Sequence, residues 1–328
     1  MEPAGALLAE KGVLTVLVLS RQDVEALLDL DALVDALAEA FVDLSAGRAS
    51  MPQRIAALSG HGLLGVMPAY LPSADILETK LVTLFEGNAG TELPTHQAAI
   101  AVFDPDRGSL AALMDGTYIT ATRTAAGSAL SARLLAREDA KVLTVCGTGV
   151  QAGTHARAVS RVRDIEEIRI AGRDRAKAEA RAGEVGGSAF DSFEDAVRNA
   201  DIVCATTHSP QPVVRREWLA PGTHVTSVGI NPAGAELEAA LVADAAVFVE
   251  SREAVLSPFP AGANDLRGLA PDLLTELGEV LSGARPGRTH AEQITVYKSV
   301  GVAVMDAAAA ALVLRAAAER GAGIEVEL

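Results

Sequence analysis

Three basic side chains sit where their neighbours do not call for charge. Lys80 lies in the run Ile76 to Phe85, among Leu77, Leu81, Val82 and Leu84, and Arg54 stands in an otherwise apolar segment. A lysine so placed is either an edge-strand charge pointing at solvent or an ammonium facing a cleft, and Arg54 is open to the same two readings. Arg123 differs. Thr120-Ala-Thr-Arg-Thr-Ala-Ala126 surrounds it with small residues near a domain junction, where a guanidinium suits a carboxylate or phosphate. Leu93-Pro-Thr-His96 places a hydroxyl (Thr95) and an imidazole on a loop, although a lone loop histidine is more often surface decoration. His155 reads as a residue that packs or meets solvent. No HExxH, CxxC or other metal-ligand spacing occurs, so no metal is assigned.

A second chemical signal is a glycine-rich turn. The apolar run Val142 to Cys146 stops at Gly147-Thr148-Gly149-Val150-Gln151-Ala152, and the spacing from Thr154 to Val159 suits a helix opening directly after it. Gly147 permits the turn, Gly149 lets the backbone approach a pyrophosphate, and Ala152 keeps helix and strand close. The expected ligand is a dinucleotide. Its ribose is selected at the end of the next strand, where a carboxylate would bond the 2′-OH. There the chain reads Ile170-Ala-Gly-Arg-Asp-Arg175, with Gly172 at the carboxylate position and Arg173 beside it. This predicts a preference for NADP(H), with NAD(H) possible. In the other reading Arg173 is a solvated helix-start charge and Asp174 serves the ribose.

The elements that must position these groups fall into two patterns. From Gln53 to Met114 short β runs are broken by turns: Arg54 to Leu58, Leu63 to Met67, Ile76 to Phe85, Ala98 to Phe103 and Ser109 to Met114, with Asp104-Pro-Asp-Arg-Gly108 as a hairpin signal. This predicts a mostly antiparallel sheet, preceded by a strand at Val13 to Leu19, a capping box at Ser20-x-x-Asp23 and an amphipathic helix from Asp31 to Leu44. Thr120 to Arg137 reads as a helix leading into the glycine turn. After it, strands at Glu167 to Ala171, Ile202 to Thr206, Thr223 to Gly229 and Ala246 to Glu250 alternate with helices at Arg173 to Ala182 and ending at Asp195 to Asn199. That alternation predicts an α/β, Rossmann-type doubly wound parallel sheet. The Ala-rich Gly301 to Arg320 is again helical. The expected arrangement is discontinuous, with a dinucleotide domain (126–301) inserted into an α+β domain (1–125 plus 302–328).

Composition narrows the partners. At 328 residues and 49% hydrophobic content the chain can bury two cores. A net charge of −15 opposes nucleic-acid or anionic-membrane binding and leaves small ligands as the expected partners. The two cysteines, Cys146 and Cys204, fall inside expected strands and read as small buried hydrophobes, a usage that fits the cytoplasm. Glu2 and Glu10 precede the first apolar run with only Lys11 for a basic region, so no signal peptide is expected. No window approaches ~18 uncharged apolar residues.

The motifs taken jointly resemble the ornithine cyclodeaminase/mu-crystallin family. They are Lys80-Leu-Val-Thr-Leu-Phe85, Leu93-Pro-Thr-His96, Asp115-Gly116, Thr120-x-x-Arg123-Thr-Ala-Ala126, Gly147-x-Gly-x-Gln-Ala152, Glu236-Leu237 and Lys298-Ser-Val-Gly301. The resemblance spans roughly residues 13 to 316. It implies a dinucleotide-dependent enzyme acting at the α-carbon of amino acids or their imines, as a homodimer joined through the substrate domain. By residue match it implies that Arg54, Lys80 and Arg123 hold the substrate carboxylate near the transferred hydride, with Lys80 exchanging a proton. Thr95 would contact the nicotinamide end, Gly147, Thr148, Gly149, Val150 and Gln151 would line the pyrophosphate loop, and Ser299, Val300 and Gly301 would close over the nicotinamide.

One departure matters for the choice of reaction. Cyclodeaminases of this family carry a catalytic aspartate in the segment before Glu-Leu, whereas this chain reads Val228-Gly-Ile-Asn-Pro-Ala-Gly-Ala-Glu-Leu237, with Asn231 at about that place. Glu236 is the one acid in the segment, and its use would need the loop to fold back. The leading expectation is therefore an NAD(P)-dependent ketimine reductase or alanine-type dehydrogenase. The alternatives are a cyclodeaminase that releases ammonia and a small-molecule binding protein of the crystallin kind.

Overall fold

The computed structural model describes residues 15–328. Val13, Leu14 and the charges weighed against a leader lie outside that range. In chain order, β1 (Thr15–Leu19), α1 (Arg21–Leu27) and α2 (Leu30–Ser45) precede β2 (Ile55–Leu58), β3 (Leu63–Leu71), β4 (Ile76–Leu84), β5 (His96–Phe103), β6 (Leu110–Asp115) and α3 (Gly116–Leu135). Then come β7 (Val142–Cys146), α4 (Val150–Val162), β8 (Glu167–Ala171), α5 (Arg175–Val185), β9 (Ser188–Phe190), α6 (Phe193–Val197), β10 (Ile202–Ala205) and β11 (His224–Ser227). They are followed by α7 (Ala239–Asp244), β12 (Ala246–Val249), α8 (Arg252–Leu256), β13 (Leu274–Glu276), α9 (Leu277–Leu281), β14 (Thr295–Lys298), α10 (Ala303–Arg320) and β15 (Ile324–Glu327). The chain divides into two compact units, one of the described residues up to Arg123 with Val302–Leu328, the other Thr124–Gly301.

The first unit is built on a 7-stranded sheet ordered β15-β1-β6-β5-β4-β3-β2, antiparallel except where β1 lies parallel to β6. The Ser20/Asp23 capping box opens α1 as expected. The apolar stripe Leu33, Val34, Leu37, Ala40 and Phe41 of α2 is buried, and α10 packs on α2 and on β3 and β4. One sheet face is thereby covered, so Met67, Ala69 and Leu71 of β3 and Ile76, Glu78 and Lys80 of β4 are buried at every second position. Small side chains along α10, from Ala307 to Ala311, let it lie close to the strands.

The second unit carries an 8-stranded, wholly parallel sheet in the order β13-β12-β14-β11-β10-β7-β8-β9. From β7 the chain runs outward through β8 and β9, then returns to place β10 on the other side of β7. That reversal makes a topological switch point between β7 and β10, the crevice where open α/β sheets bind ligands. Leu143, Val145, Ala152, Ala156, Val159, Ile170, Ile202 and Cys204 form the adjoining core. Both cysteines are free and buried. The carboxyl end of α3 is closed by guanidinium groups: Arg288 Nε donates to Leu135 O at 2.6 Å and Arg163 Nη2 to Ala136 O at 3.0 Å.

Two expected helix starts move. α3 opens at Gly116 rather than Thr120 because the Asp115 carboxylate accepts from Tyr118 N at 2.7 Å. α5 opens at Arg175 rather than Arg173 because Asp174 is its N-cap, accepting from Lys177 N at 3.2 Å. Strands β9, β13, β14 and β15 have no counterpart in the sequence reading; three are very short or exposed, and β14 ends in a charged lysine.

Candidate functional site

Lys80 belongs to β4, which is paired on both sides: Lys80 lies opposite Met67 of β3 and Ile100 of β5. It is an inner-strand residue, 1% exposed, so the edge-charge reading fails. Its Nζ donates to Asp306 Oδ2 at 2.7 Å, and Arg123 Nε donates to Asp306 Oδ1 at 3.1 Å. Asp306 is fully buried in the first turn of α10, where the helix dipole favours a carboxylate. One acid thus holds two cations from β4 and α3. Arg54 is half-buried and precedes β2 rather than lying within it, and its charge is felt at Lys80.

Burial, then the charge of Arg123, lowers the Lys80 ammonium from 10.5 to about 8, against the opposing pull of Asp306. Burial also works against ionised Asp306, but Arg123 and Lys80 prevail and hold it below the ordinary carboxylate range. His96 is no surface decoration. It opens β5, half-buried, and burial with the charges of Lys80 and Arg123 lowers it to about 4, so its imidazole is neutral at physiological pH. Thr95 immediately precedes β5, its carbonyl accepting from Phe85 N at 2.8 Å. A group with a carboxylate and a basic nitrogen would find here fixed cations for the first and a titratable ammonium for the second.

In the second unit, Gly147 ends β7 with φ +136°, and a Cβ there would meet Thr206 Oγ1, at the end of β10, at 2.4 Å. Only glycine suits that position. Gly149 is the N-cap of α4 and supplies no side-chain cap; a Cβ built on it meets nothing within 4 Å. Open space beside the uncapped N–H groups of α4 fits a dinucleotide pyrophosphate. Val150 and Gln151 form the exposed and half-buried start of that helix, and Thr148 packs against Gly172, where a Cβ would approach Thr148 Cγ2 to 2.5 Å. Arg173 is exposed. His155, buried on α4, donates from Nδ1 to Gln151 O at 2.7 Å, which makes Nε2 the acceptor from Ser128 Oγ at 3.0 Å. Burial lowers this imidazole to about 4, and its role is packing.

The loops after β11 and β14 are held by buried charge. Glu236 accepts from Thr207 N and Oγ1 on one oxygen and from Ser227 Oγ and Gly229 N on the other, at 2.5–2.9 Å. Lys298 Nζ bonds Asp265 at 3.0 Å and Gly229 O at 2.6 Å, and Asp265 accepts from Glu236 N and Leu237 N. Glu250 accepts from Ser299 Oγ, Gly301 N and Val300 N, fixing the Ser299–Gly301 turn. The side-chain amide of Asn231 ties its loop to the one after β10, donating to His208 O, and accepts from Ala233 N, both at 2.8 Å.

Asp306, Asp265 and Glu250 were not singled out from the sequence as site residues. Asp306 did carry a signal: a lone acid in a run of alanines on a buried helix needs a buried cation. Among the described residues no cluster of three or more His, Cys, Asp or Glu side chains is placed to hold a metal.

A model of the ornithine cyclodeaminase/mu-crystallin family matches residues 15–321. Ketimine reductase mu-crystallin of Mus musculus is 43% identical over 256 residues, covering 77% of this chain and 80% of that protein. The structure of Thermococcus litoralis Delta(1)-pyrroline-2-carboxylate reductase in complex with NADH and L-proline has a TM-score of 0.88 at 32% identity, covering 95% of this chain and 100% of that one. An archaeal alanine dehydrogenase dimer with bound NAD also has a TM-score of 0.88, at 30% identity, covering 95% of this chain and 99% of that one.

Proposed function

The chain belongs to the ornithine cyclodeaminase/mu-crystallin family and is a nicotinamide-dependent oxidoreductase acting on amino and imino groups; we propose that it reduces a cyclic α-imino acid to the amino acid. The observation that carries this reading is the buried Lys80, paired with Asp306 beside Arg123. In the proposed reaction Arg54, Lys80 and Arg123 bind the substrate carboxylate. Lys80, with its proton affinity lowered to about 8, gives a proton from Nζ to the imine nitrogen, and Asp306 keeps that ammonium in place. Gly147 to Gln151 would hold the nicotinamide cofactor, which would supply the hydride that the imine carbon takes up. Thr95 and the Ser299–Gly301 turn serve the nicotinamide end.

NADP(H) is the proposed preference. Thr148 crowds Gly172, Asp174 is engaged as a helix cap, and Arg173 is exposed and available to a 2′-phosphate. A homodimer through the first unit is proposed from the outer sheet face, where Ile55, Leu64 and Leu81 are exposed; the alanine dehydrogenase relative is itself a dimer. The free, buried cysteines support a cytoplasmic setting, and no helix among the described residues is long and apolar enough to cross a membrane.

The test is a panel of cyclic imino acids, of keto acids with ammonia and of amino acids including ornithine, followed by NAD(P)H absorbance and by mass spectrometry of products. Absorbance loss with amino-acid formation is expected. Product without absorbance change would point to cyclodeamination, and binding without turnover to a non-catalytic carrier; either overturns the proposal.

A further inference from the structure

Glu78 lies two residues before Lys80 on the same face of β4 and is 1% exposed. Neither of its carboxyl oxygens has a hydrogen-bond partner among the described residues. The charges that face it come from Lys80 on its own strand, Arg123 on α3 and Asp306 on α10. Arg54 before β2 acts on Lys80 in turn, and Lys80 and Arg123 lower His96 on β5. Two acids therefore share one buried cluster on unequal terms. Asp306 accepts from both cations and is held below the ordinary carboxylate range, whereas Glu78, with no donor, is held by burial and by Asp306 well above it.

We propose that Glu78 is a positioning residue that sets the charge of the substrate cluster: as a neutral acid it leaves Arg54, Lys80 and Arg123 in excess over the single anion Asp306, an excess that draws in a substrate carboxylate. Ionised, it would cut that excess, weaken carboxylate binding and tighten the proton on Lys80. This rests on the reading that the cluster binds the substrate carboxylate. It makes substrate affinity depend on a group that does not touch substrate, and it favours substrates that bring one negative charge to this cluster.

The test compares wild type with Glu78→Gln, a fixed neutral isostere, by kcat/KM for cyclic imine reduction and by L-proline binding to the reduced-cofactor complex from neutral to alkaline pH. At neutral pH the variant keeps kcat/KM within about threefold of wild type. Wherever Glu78 ionises, the wild type loses up to about tenfold more per pH unit than the variant, because two groups rather than one must then stay protonated. The ligand's own ionisation is common to both. A second readout needs no variant: the infrared band of an un-ionised carboxyl in the wild type fades on alkalinisation and returns when L-proline binds. Parallel pH profiles in an active Glu78→Gln enzyme, or an infrared band that ignores L-proline, overturn the proposal alone. A wild type that neither binds L-proline nor reduces any imine overturns the assigned function, and the proposal with it.

Discussion

Lys80 Nζ and Asp306 Oδ2 lie 2.7 Å apart across a sequence separation of 226 residues, both buried. Asp306→Asn leaves the ammonium and the Arg123 guanidinium buried without their anion. Removing one partner of such a pair is expected to cost about 3–5 kcal/mol of stability, read as a lowered denaturation midpoint. Lys80→Met is expected to lower kcat by ~10²-fold or more. Cofactor affinity, which rests on the other unit, should stay within about twofold by fluorescence titration; an active Lys80→Met enzyme would remove the residue from the chemistry.

The lowered proton affinity of Lys80 has a signed pH dependence. Between about 8 and 10.5 the folded chain binds fewer protons at this group than the unfolded chain does. Its penalty on stability is therefore full below about 8 and is relieved as pH rises towards 10.5. Activity follows the ammonium. Imine reduction should decline above about pH 8, while amino-acid oxidation, which needs the free amine, should rise through the same range. Measuring both directions on one enzyme checks this, and parallel profiles would contradict it.

Gly147 and Gly149 should respond differently to the same substitution. Gly147→Ala forces a Cβ towards Thr206 at φ +136°, so a loss of about 1–3 kcal/mol in stability is expected. Gly149→Ala enters open space and should leave the melting temperature unchanged while weakening NADPH binding by about tenfold, since the methyl occupies the approach of the pyrophosphate. Thermal unfolding and cofactor titration separate the two effects.

Arg173→Ser should weaken NADPH by roughly 10- to 100-fold, the loss of a charge-assisted contact, and leave NADH nearly unchanged. Tighter NADH than NADPH binding in the wild type would place the ribose contact elsewhere.

Ornithine should not be converted to proline and ammonia at an ordinary enzymatic rate, on the order of 1 s⁻¹. Asn231 cannot exchange protons, its amide is committed to His208 and Ala233, and Glu236 is fully engaged by Thr207, Ser227 and Gly229. Mass spectrometry of an incubation with either oxidised cofactor is the check.

Much of this protein was determined by local sequence alone. The turn at Gly147 needs a backbone conformation that only glycine takes easily, and the βα alternation around it follows from apolar period, so the parallel sheet was legible before any coordinates. The capping box at Ser20 and the stripe of α2 were legible for the same reason. Short strands such as β9 and β13 were not, because a few residues carry no period, and β14 was hidden because its terminal Lys298 looks like a surface charge until Asp265 is found beside it. The meaning of Lys80 was decided only by tertiary structure. Strand neighbours β3 and β5 make it an inner residue, and α10, arriving from the far end of the chain, brings the acid that lets a charge be buried there. Glu78, on the same strand, is held well above the ordinary carboxylate range because it is buried beside Asp306 and no such donor reaches it. Electrostatic energy depends on distance in space rather than position in the chain, so the types of these residues were written in sequence and their charge states only in the fold.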